Sequence, residues 1–252
     1  MPEIAHRSTL LVGVDCAAQA KNTGLARALS AGASEPLTVL ETRCASSEAS
    51  AAQIVAAWVR DAERVLLALD APLGWPAALG EALAIHQAGW PLPRTANQLF
   101  RRETDDRIYE RLGRRPLEVA ADRIARATHA ALCFLEDLRG AVGAPVELVW
   151  SRDWPGRFGV IEVYPAATRL ALGVAKGGGS LAGLEGRLRF SSSAMPSSEH
   201  ERDAVVCLIA AEEFLAGRGE APPLELMSRV RREGWIWAGP AATSASSGHA
   251  IA

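Results

Sequence analysis

Apolar residues cluster in short runs along the chain, and two of these runs end on an aspartate. Residues 9–16 and 65–70 contain almost no polar side chains, which is typical of strands that are buried on both faces of a sheet. Residues 158–164 have the same character, although Glu162 lies within them. We predict strands at these three places, with further short strands at 24–30, 37–44, 146–150 and 234–238.

Helical periodicity occupies much of the chain between these runs. Ile54, Val55 and Trp58 form part of an apolar stripe that indicates an amphipathic helix. Pro76 can begin another helix, because its missing N–H costs nothing in a first turn. The predicted helices cover residues 48–62, 76–86, 117–139, 167–172 and 199–215. The predicted irregular segments are a loop at 90–93, a mobile Gly/Ser-rich loop at 175–198 and a disordered tail at 241–252.

The order of these elements predicts a mixed sheet. If the first three strands form an antiparallel meander, a right-handed helical crossover brings the strand that ends at Asp70 parallel to the strand that ends at Asp15. We therefore predict one α/β domain over residues 1–240, in which three antiparallel strands are followed by parallel strands and helices flank the sheet. Both aspartates would then lie at the carboxyl edge, where open α/β sheets bind their ligands.

Four carboxylates occur in or beside runs that are otherwise apolar: Asp15, Asp70, Glu162 and Asp203. An isolated buried carboxylate is costly unless it is protonated, paired or bound to a cation. Oxygen ligands favour Mg²⁺ or Mn²⁺, and two such ions can stabilise the attacking and leaving oxygens of a phosphoryl displacement. The sequence therefore predicts a metal centre in which these four side chains are both the metal ligands and the catalytic residues.

Each acidic residue also has an ordinary explanation. Asp15 can simply end a strand, and Asp70 precedes Ala-Pro and can be a turn residue. Glu162 can pair with one of the many arginines, and Asp203 can cap a helix. These alternatives remain open for each residue taken alone.

Several short motifs follow one another in a set order that resembles the family known as domain of unknown function 429. They are Gly13-Val14-Asp15, Asp70-Ala71-Pro72-Leu73-Gly74, Arg101-Arg102-Glu103-Thr104-Asp105, Glu162-Val163-Tyr164-Pro165-Ala166, Asp203-Ala204 followed by Ala210-Ala211, and Glu233-Gly234-Trp235-Ile236-Trp237. The resemblance runs from about Leu10 to Pro240.

That resemblance implies a ribonuclease H-like fold and a nuclease activity that is itself a prediction for the family. It implies Asp15, Asp70, Glu162 and Asp203 as the acidic set. It also implies a substrate-binding role for Arg102 and Asp105.

His200 lies three residues before Asp203, so the two side chains share a helix face. It is similar to the histidine that some ribonuclease H-like resolvases carry ahead of their last acid. In that role it would orient water, bind substrate or help to bind a second metal ion. The alternative is a solvated histidine at the start of a helix.

Charge and composition limit the classes of partner. The net charge of -2 gives no strong overall attraction to nucleic acid or to an anionic membrane. A nucleic-acid substrate would therefore have to be held by a local patch. Residues 94–126 contain nine arginines and six acids, so they predict either phosphate contacts or a salt-bridged, solvated surface.

Other common catalytic motifs are absent from the sequence, including the phosphate-binding P-loop, zinc-ligand spacings and the Gly-x-Ser-x-Gly nucleophile elbow. Four widely spaced cysteines, of which Cys133 and Cys207 lie in apolar runs, predict buried free thiols in the cytoplasm. No signal peptide or membrane span is predicted.

The predicted function is a divalent-metal-dependent phosphodiesterase or nuclease that acts on nucleic acid or another phosphodiester. One alternative is a non-catalytic binding module on the same scaffold, and a second is a nucleotide binder related to the actin-like phosphotransferases.

Overall fold

A seven-stranded mixed sheet forms the centre of the protein in the computed structural model, which describes residues 9–30, 32, 35–120, 122–174 and 180–241. The strands are β1 (Leu10–Asp15), β2 (Gly24–Leu29), β3 (Leu37–Cys44), β4 (Val65–Asp70), β5 (Glu147–Leu148), β6 (Phe158–Glu162) and β7 (Leu188–Phe190). Their order across the sheet is β5-β6-β4-β1-β2-β3-β7. The meander β1-β2-β3 is antiparallel, and β4, β5 and β6 run parallel to β1.

Helices cover both faces of this sheet. They are α1 (Ala51–Trp58), α2 (Ala77–Ala84), α3 (Ala96–Phe100), α4 (Glu103–Leu112), α5 (Asp122–Val142), α6 (Pro165–Ala171), α7 (Glu199–Leu215) and α8 (Met227–Glu233). Helix α7 packs across β1 to β4 on one face, while α1 and α5 lie together on the other. This arrangement confirms the predicted α/β class and is consistent with a ribonuclease H-like fold.

Alternation along the strands explains why both faces are apolar. In β1, Leu11 belongs to the core under α7, whereas Leu10 and Val12 belong to the core under α1 and α5. Gly13 allows the closest approach of α7 to the sheet, because a Cβ placed there would lie 2.0 Å from the carbonyl oxygen of Ala204. That contact brings the first turns of α7 against the carboxyl end of β1.

The sequence-based prediction was wrong in three segments. Residues 180–198 of the predicted mobile loop contain β7, which pairs with β3 at the sheet edge. The arginine-rich stretch contains α3 and α4, and the long helix that follows begins at Asp122 instead of 117. The predicted last strand over 234–238 is a single bridge between Ile236 and Glu162.

Some predictions fall where the structure gives no description. Residues 175–179 of the predicted mobile loop and residues 242–252 of the predicted tail lie outside the described residues. Among the helices that are described, none is both long enough and apolar enough to cross a lipid bilayer. The expectation of buried thiols is confirmed for Cys207 and is wrong for Cys133, which is exposed on α5.

Candidate functional site

Asp15 and Asp70 lie side by side at the carboxyl edge of the sheet. They are the last residues of the parallel neighbours β1 and β4 and are directly paired in the strand register. Within the described residues, the carboxylate of Asp70 has no hydrogen-bond or ion-pair partner. Burial raises its pKa well above the usual range, and the charges of Asp15, Asp203 and Glu162 raise it further. Asp70 is therefore a carboxylate without a counter-charge of its own.

Asp15 has one partner, His200. The Nδ1 atom of His200 lies 2.6 Å from Oδ2 of Asp15, whose side chain is 14% exposed. Burial raises the pKa of Asp15 to about 6, although the hydrogen bond and charge of His200 oppose that rise. Because Nδ1 is engaged with Asp15, the Nε2 atom on the opposite side of the partly exposed His200 ring is directed away from Asp15.

Asp203 reaches the same edge from α7, which the close contact at Gly13 holds against β1. Its Oδ1 accepts a hydrogen bond from Nη2 of Arg169 at 3.3 Å. Burial raises the pKa of Asp203, and Arg169 only partly offsets this effect. The charge of Asp203 in turn raises the pKa of both Asp15 and Asp70. The three aspartates thus form one electrostatically coupled cluster.

Arg169 is a site residue that the sequence reasoning missed. Its side chain is only 7% exposed, and it also donates a hydrogen bond to the carbonyl oxygen of Ser180. Arg169 lies on α6, which begins directly after the carboxyl end of β6. Pro165 could have indicated this residue from the sequence, because it marks the start of a helix directly after β6. An arginine one turn into such a helix lies near the carboxyl edge of the sheet.

Glu162 does not join the open cluster. Its Oε1 accepts from Nη2 of Arg102 at 2.8 Å, and its Oε2 accepts from Nη1 of Arg102 and from the N–H of Leu73, each at 3.0 Å. Burial raises the pKa of Glu162, and the guanidinium and the Leu73 N–H oppose that rise. This geometry matches the alternative explanation of an ion pair with arginine, and both carboxylate oxygens are already used.

Arg102 and Asp105 are equally enclosed. Both side chains are 1% exposed, and the Asp105 carboxylate receives hydrogen bonds from Nη2 and Nε of Arg102 at 2.9 and 3.3 Å. Although burial alone would lower the pKa of Arg102, Glu162 and Asp105 raise it, so the guanidinium stays charged between them. In this structure the Arg102 guanidinium binds two carboxylates and is shielded from solvent, which is the geometry of a structural ion pair, so the substrate-binding role of Arg102 and Asp105 stays a prediction.

The late Glu233-Gly234 motif completes this buried network. The backbone carbonyl of Glu233 accepts from Nη1 of Arg102 at 3.0 Å. Gly234 has φ +84°, and a Cβ there would lie 2.5 Å from Oε2 of Glu162, so only glycine fits this position. Several of the motif residues thus hold the loops around the cluster and do not belong to the cluster itself.

The arginine-rich stretch is mainly paired with acids. Arg101 lies 3.3 Å from Glu118, Arg107 lies 3.2 Å from Glu103, and Arg115 pairs with Asp106. These contacts support the interpretation of residues 94–126 as a salt-bridged surface.

The donor chemistry of the aspartate cluster suits a hard divalent cation. Carboxylate oxygens are the ligands that Mg²⁺ and Mn²⁺ prefer, and raised pKa values are expected of carboxylates whose counter-charge is a bound cation. In the described parts of the chain, no group of three or more His, Cys, Asp or Glu side chains has the spacing of a formed metal site. Asp15, Asp70 and Asp203 supply the right kind of ligand atom at this edge, but their side chains are not arranged as a formed site.

One comparison with known proteins gives a match. A family model described as a protein of unknown function (DUF429) matches residues 13–226. No curated protein and no solved structure matches the chain.

Proposed function

Since the chain belongs to the DUF429 family, whose function is unknown, we propose its activity from the site alone: it is a divalent-metal-dependent phosphodiesterase that acts as a nuclease. The observation that carries the proposal is Asp70, a carboxylate at a strand end with no ion-pair partner among the described residues and with the charges of Asp15, Asp203 and Glu162 raising its pKa. A protein that keeps such a carboxylate loses stability, which is a common cost of a functional site.

Three aspartates have the central role in this proposal. Asp15, Asp70 and Asp203 would hold Mg²⁺ or Mn²⁺, and the bound ion would stabilise negative charge on the phosphoryl oxygens. Arg169, next to Asp203, keeps that carboxylate in position. Glu162 has no place among the ligands, because Arg102 and Leu73 use both of its oxygens.

His200 is proposed to orient the attacking water. Asp15 fixes the ring through Nδ1, and the opposite ring nitrogen is then directed away from Asp15. In the reaction, an oxygen–phosphorus bond forms from water and the ester phosphorus–oxygen bond breaks. The water loses a proton and the leaving alkoxide gains one, so the products are a phosphomonoester and an alcohol.

Activity on a simple substrate tests this proposal. We expect the protein to hydrolyse bis(4-nitrophenyl) phosphate in the presence of Mn²⁺. We expect Asp15→Asn and Asp70→Asn to lower kcat/KM by more than about 100-fold, since loss of residues that merely support metal ligands costs 10–100-fold.

Asp61→Asn is the matched control, because Asp61 is an exposed residue after α1 and lies outside the cluster. It should keep the wild-type rate, and all variants should show cooperative thermal unfolding. Wild-type activity in Asp70→Asn would rule out the proposal, and a complete lack of activity in the wild type would favour a non-catalytic binding module.

A further inference from the structure

A small cleft lies on the face of the sheet opposite to α7, at the same carboxyl end of β1 as Asp15. Its volume is about 200 Å³, and residues from the end of β1, the start of α1 and the middle of α5 line it. Cys16 lines this cleft and directly follows Asp15 in the chain. Burial raises the pKa of its thiol, and the nearby charges of Asp70 and Asp15 raise it further. The aspartate side chains are on the α7 side of the sheet, so a ligand held in the cleft would reach the proposed reaction centre by extending around the carboxyl end of β1.

The lining is suited to a flat, uncharged ring. Half of the lining residues are alanines, and Phe134 is the one aromatic residue of the lining. Clefts that enclose whole drug-sized ligands measure about 300–1,000 Å³, so a space of this size takes one ring system. Bases that are bound outside a duplex commonly stack on aromatic side chains.

The polar groups of the cleft favour the same kind of ligand. Ser50, Thr23 and Asp137 are polar residues of the lining, and none of the described residues that line the cleft is a lysine, an arginine or a histidine. A phosphate would find no positive charge in this cleft, whereas a carboxylate such as Asp137 can accept a hydrogen bond from the amino group of a base. The cleft therefore suits an uncharged base, whereas the phosphate of the same ligand would bind at the proposed metal centre.

We propose that this cleft binds a nucleobase of the substrate, so that the substrate class is nucleotides joined by phosphodiester bonds. The inference rests on the proposed function for its reaction, while binding of the base can be measured independently. The base would lie between α1 and α5, and the phosphate attached to its sugar would extend past Cys16 to Asp15 and Asp70.

A pair of substrates tests the inference through activity. Both release 4-nitrophenolate: one is the 4-nitrophenyl ester of cytidine 5′-monophosphate, and the other is methyl 4-nitrophenyl phosphate, which has no base. With Mn²⁺, we expect kcat/KM to be about tenfold higher for the cytidine ester, the scale expected of stacking one base. In Cys133→Trp, in which the new ring fills the cleft, we expect the ratio of the two kcat/KM values to fall to about one.

Arg123→Trp is the matched control, because Arg123 is exposed on the same helix and does not line the cleft. It should keep the wild-type ratio. An equal rate for the two substrates in the wild type, or an unchanged ratio in Cys133→Trp, would overturn the inference.

A second measurement separates this inference from the proposed activity. Cys133 lines the cleft and is the exposed one of the four cysteines, so N-ethylmaleimide should modify it first. We expect cytidine 5′-monophosphate to slow this modification, and ribose 5-phosphate, which lacks the base, to have no such effect.

Protection by the nucleotide in a protein that hydrolyses neither ester would refute the proposed activity and keep the base-binding cleft. Lack of protection, or equal protection by both compounds, would refute the cleft.

Discussion

The environment of Asp70 is unfavourable for an ionised carboxylate. The side chain is partly buried at a strand end, and the charged groups that raise its pKa, among the described residues, are Asp15, Asp203 and Glu162. Such a residue reduces the stability of the fold at neutral pH, because the unfolded chain would solvate the same charge fully. The proposed metal ion would supply the positive charge that this side chain lacks.

A neutral side chain at this position should therefore stabilise the protein. We expect Asp70→Asn to increase the free energy of unfolding at pH 7.5, measured by urea denaturation without metal, since the amide removes the repulsion from Asp15 and Asp203. Asp61→Asn, at an exposed position, should leave the stability within about 0.5 kcal/mol of the wild type. A less stable Asp70→Asn protein would show that the carboxylate has a favourable partner.

Asp15 should produce a pH dependence of stability with a definite sign. Its pKa is about 6 in the folded protein, whereas the ordinary value for an aspartate is 3.8, so the folded state binds the proton more tightly than the unfolded state. Its contribution is fully present below about pH 4 and is lost as the pH rises through 6. The difference between the two pKa values corresponds to about 3 kcal/mol.

We therefore expect the unfolding free energy of Asp15→Asn to fall less than that of the wild type between pH 4 and pH 6.5. Urea denaturation at several pH values measures this difference. Parallel curves for the two proteins would contradict the assignment of the raised pKa to Asp15.

For single residues, the sequence predicted where a side chain lies in the sheet better than it predicted which side chain it pairs with. The apolar runs predicted that Asp15 and Asp70 end adjacent strands, and the register confirms it. Glu162 lies in a similar run, but its partner Arg102 is 60 positions away. Such a pairing depends on tertiary structure, and no local pattern reveals it.

Among the secondary-structure elements, α2 and α4 share one acidic side chain at their N-termini. Glu233, which is 0% exposed, accepts hydrogen bonds from the first N–H of each helix, Ala77 at 2.8 Å and Glu103 at 2.9 Å. A carboxylate at a helix N-terminus satisfies N–H groups that have no partner within the helix and interacts favourably with the helix dipole. Neither helix has a side-chain cap from its own N-cap residue.

Removal of this carboxylate should destabilise both helices together. We expect Glu233→Ala to lower the free energy of unfolding by about 2–4 kcal/mol, the sum of two lost caps and a broken hydrogen bond to Arg229. Glu225→Ala, on an exposed residue nearby, should change it by less than about 0.5 kcal/mol. If Glu233→Ala and Glu225→Ala changed the free energy of unfolding equally in chemical denaturation, the proposal that Glu233 caps both α2 and α4 would be refuted.

Two elements were missed in the sequence analysis for different reasons. Strand β7 has only three residues and pairs with β3, about 150 positions earlier in the chain. Its Gly- and Ser-rich surroundings are typical of a loop, and only the open edge of β3 makes it a strand. Helix α4 begins where Asp105 accepts from the backbone N–H of Arg102 at 3.0 Å, a local capping signal that a search for apolar periodicity does not detect.

Considered as a whole molecule, the motif residues belong to two adjoining groups. The first is the cluster of Asp15, Asp70 and Asp203, which reaches the surface at the carboxyl edge of the sheet. The second is the buried network around Arg102 and Glu162, which ties α4 and the loop after β4 to the chain that follows α8. The sequence motifs identified both groups together, since a residue pattern does not distinguish a residue that reacts from one that supports the site.

The central claim is therefore that Asp15, Asp70 and Asp203 together bind a divalent metal ion. Metal binding tests it without any assumption about the substrate. The measurement is isothermal titration calorimetry of Mn²⁺ into the wild type, Asp70→Asn and Asp61→Asn. We expect saturable binding to the wild type and to Asp61→Asn, and a loss of affinity of at least about 100-fold in Asp70→Asn. Equal Mn²⁺ affinity in the wild type and Asp70→Asn, or no binding to any of the three proteins, would contradict the proposed metal centre.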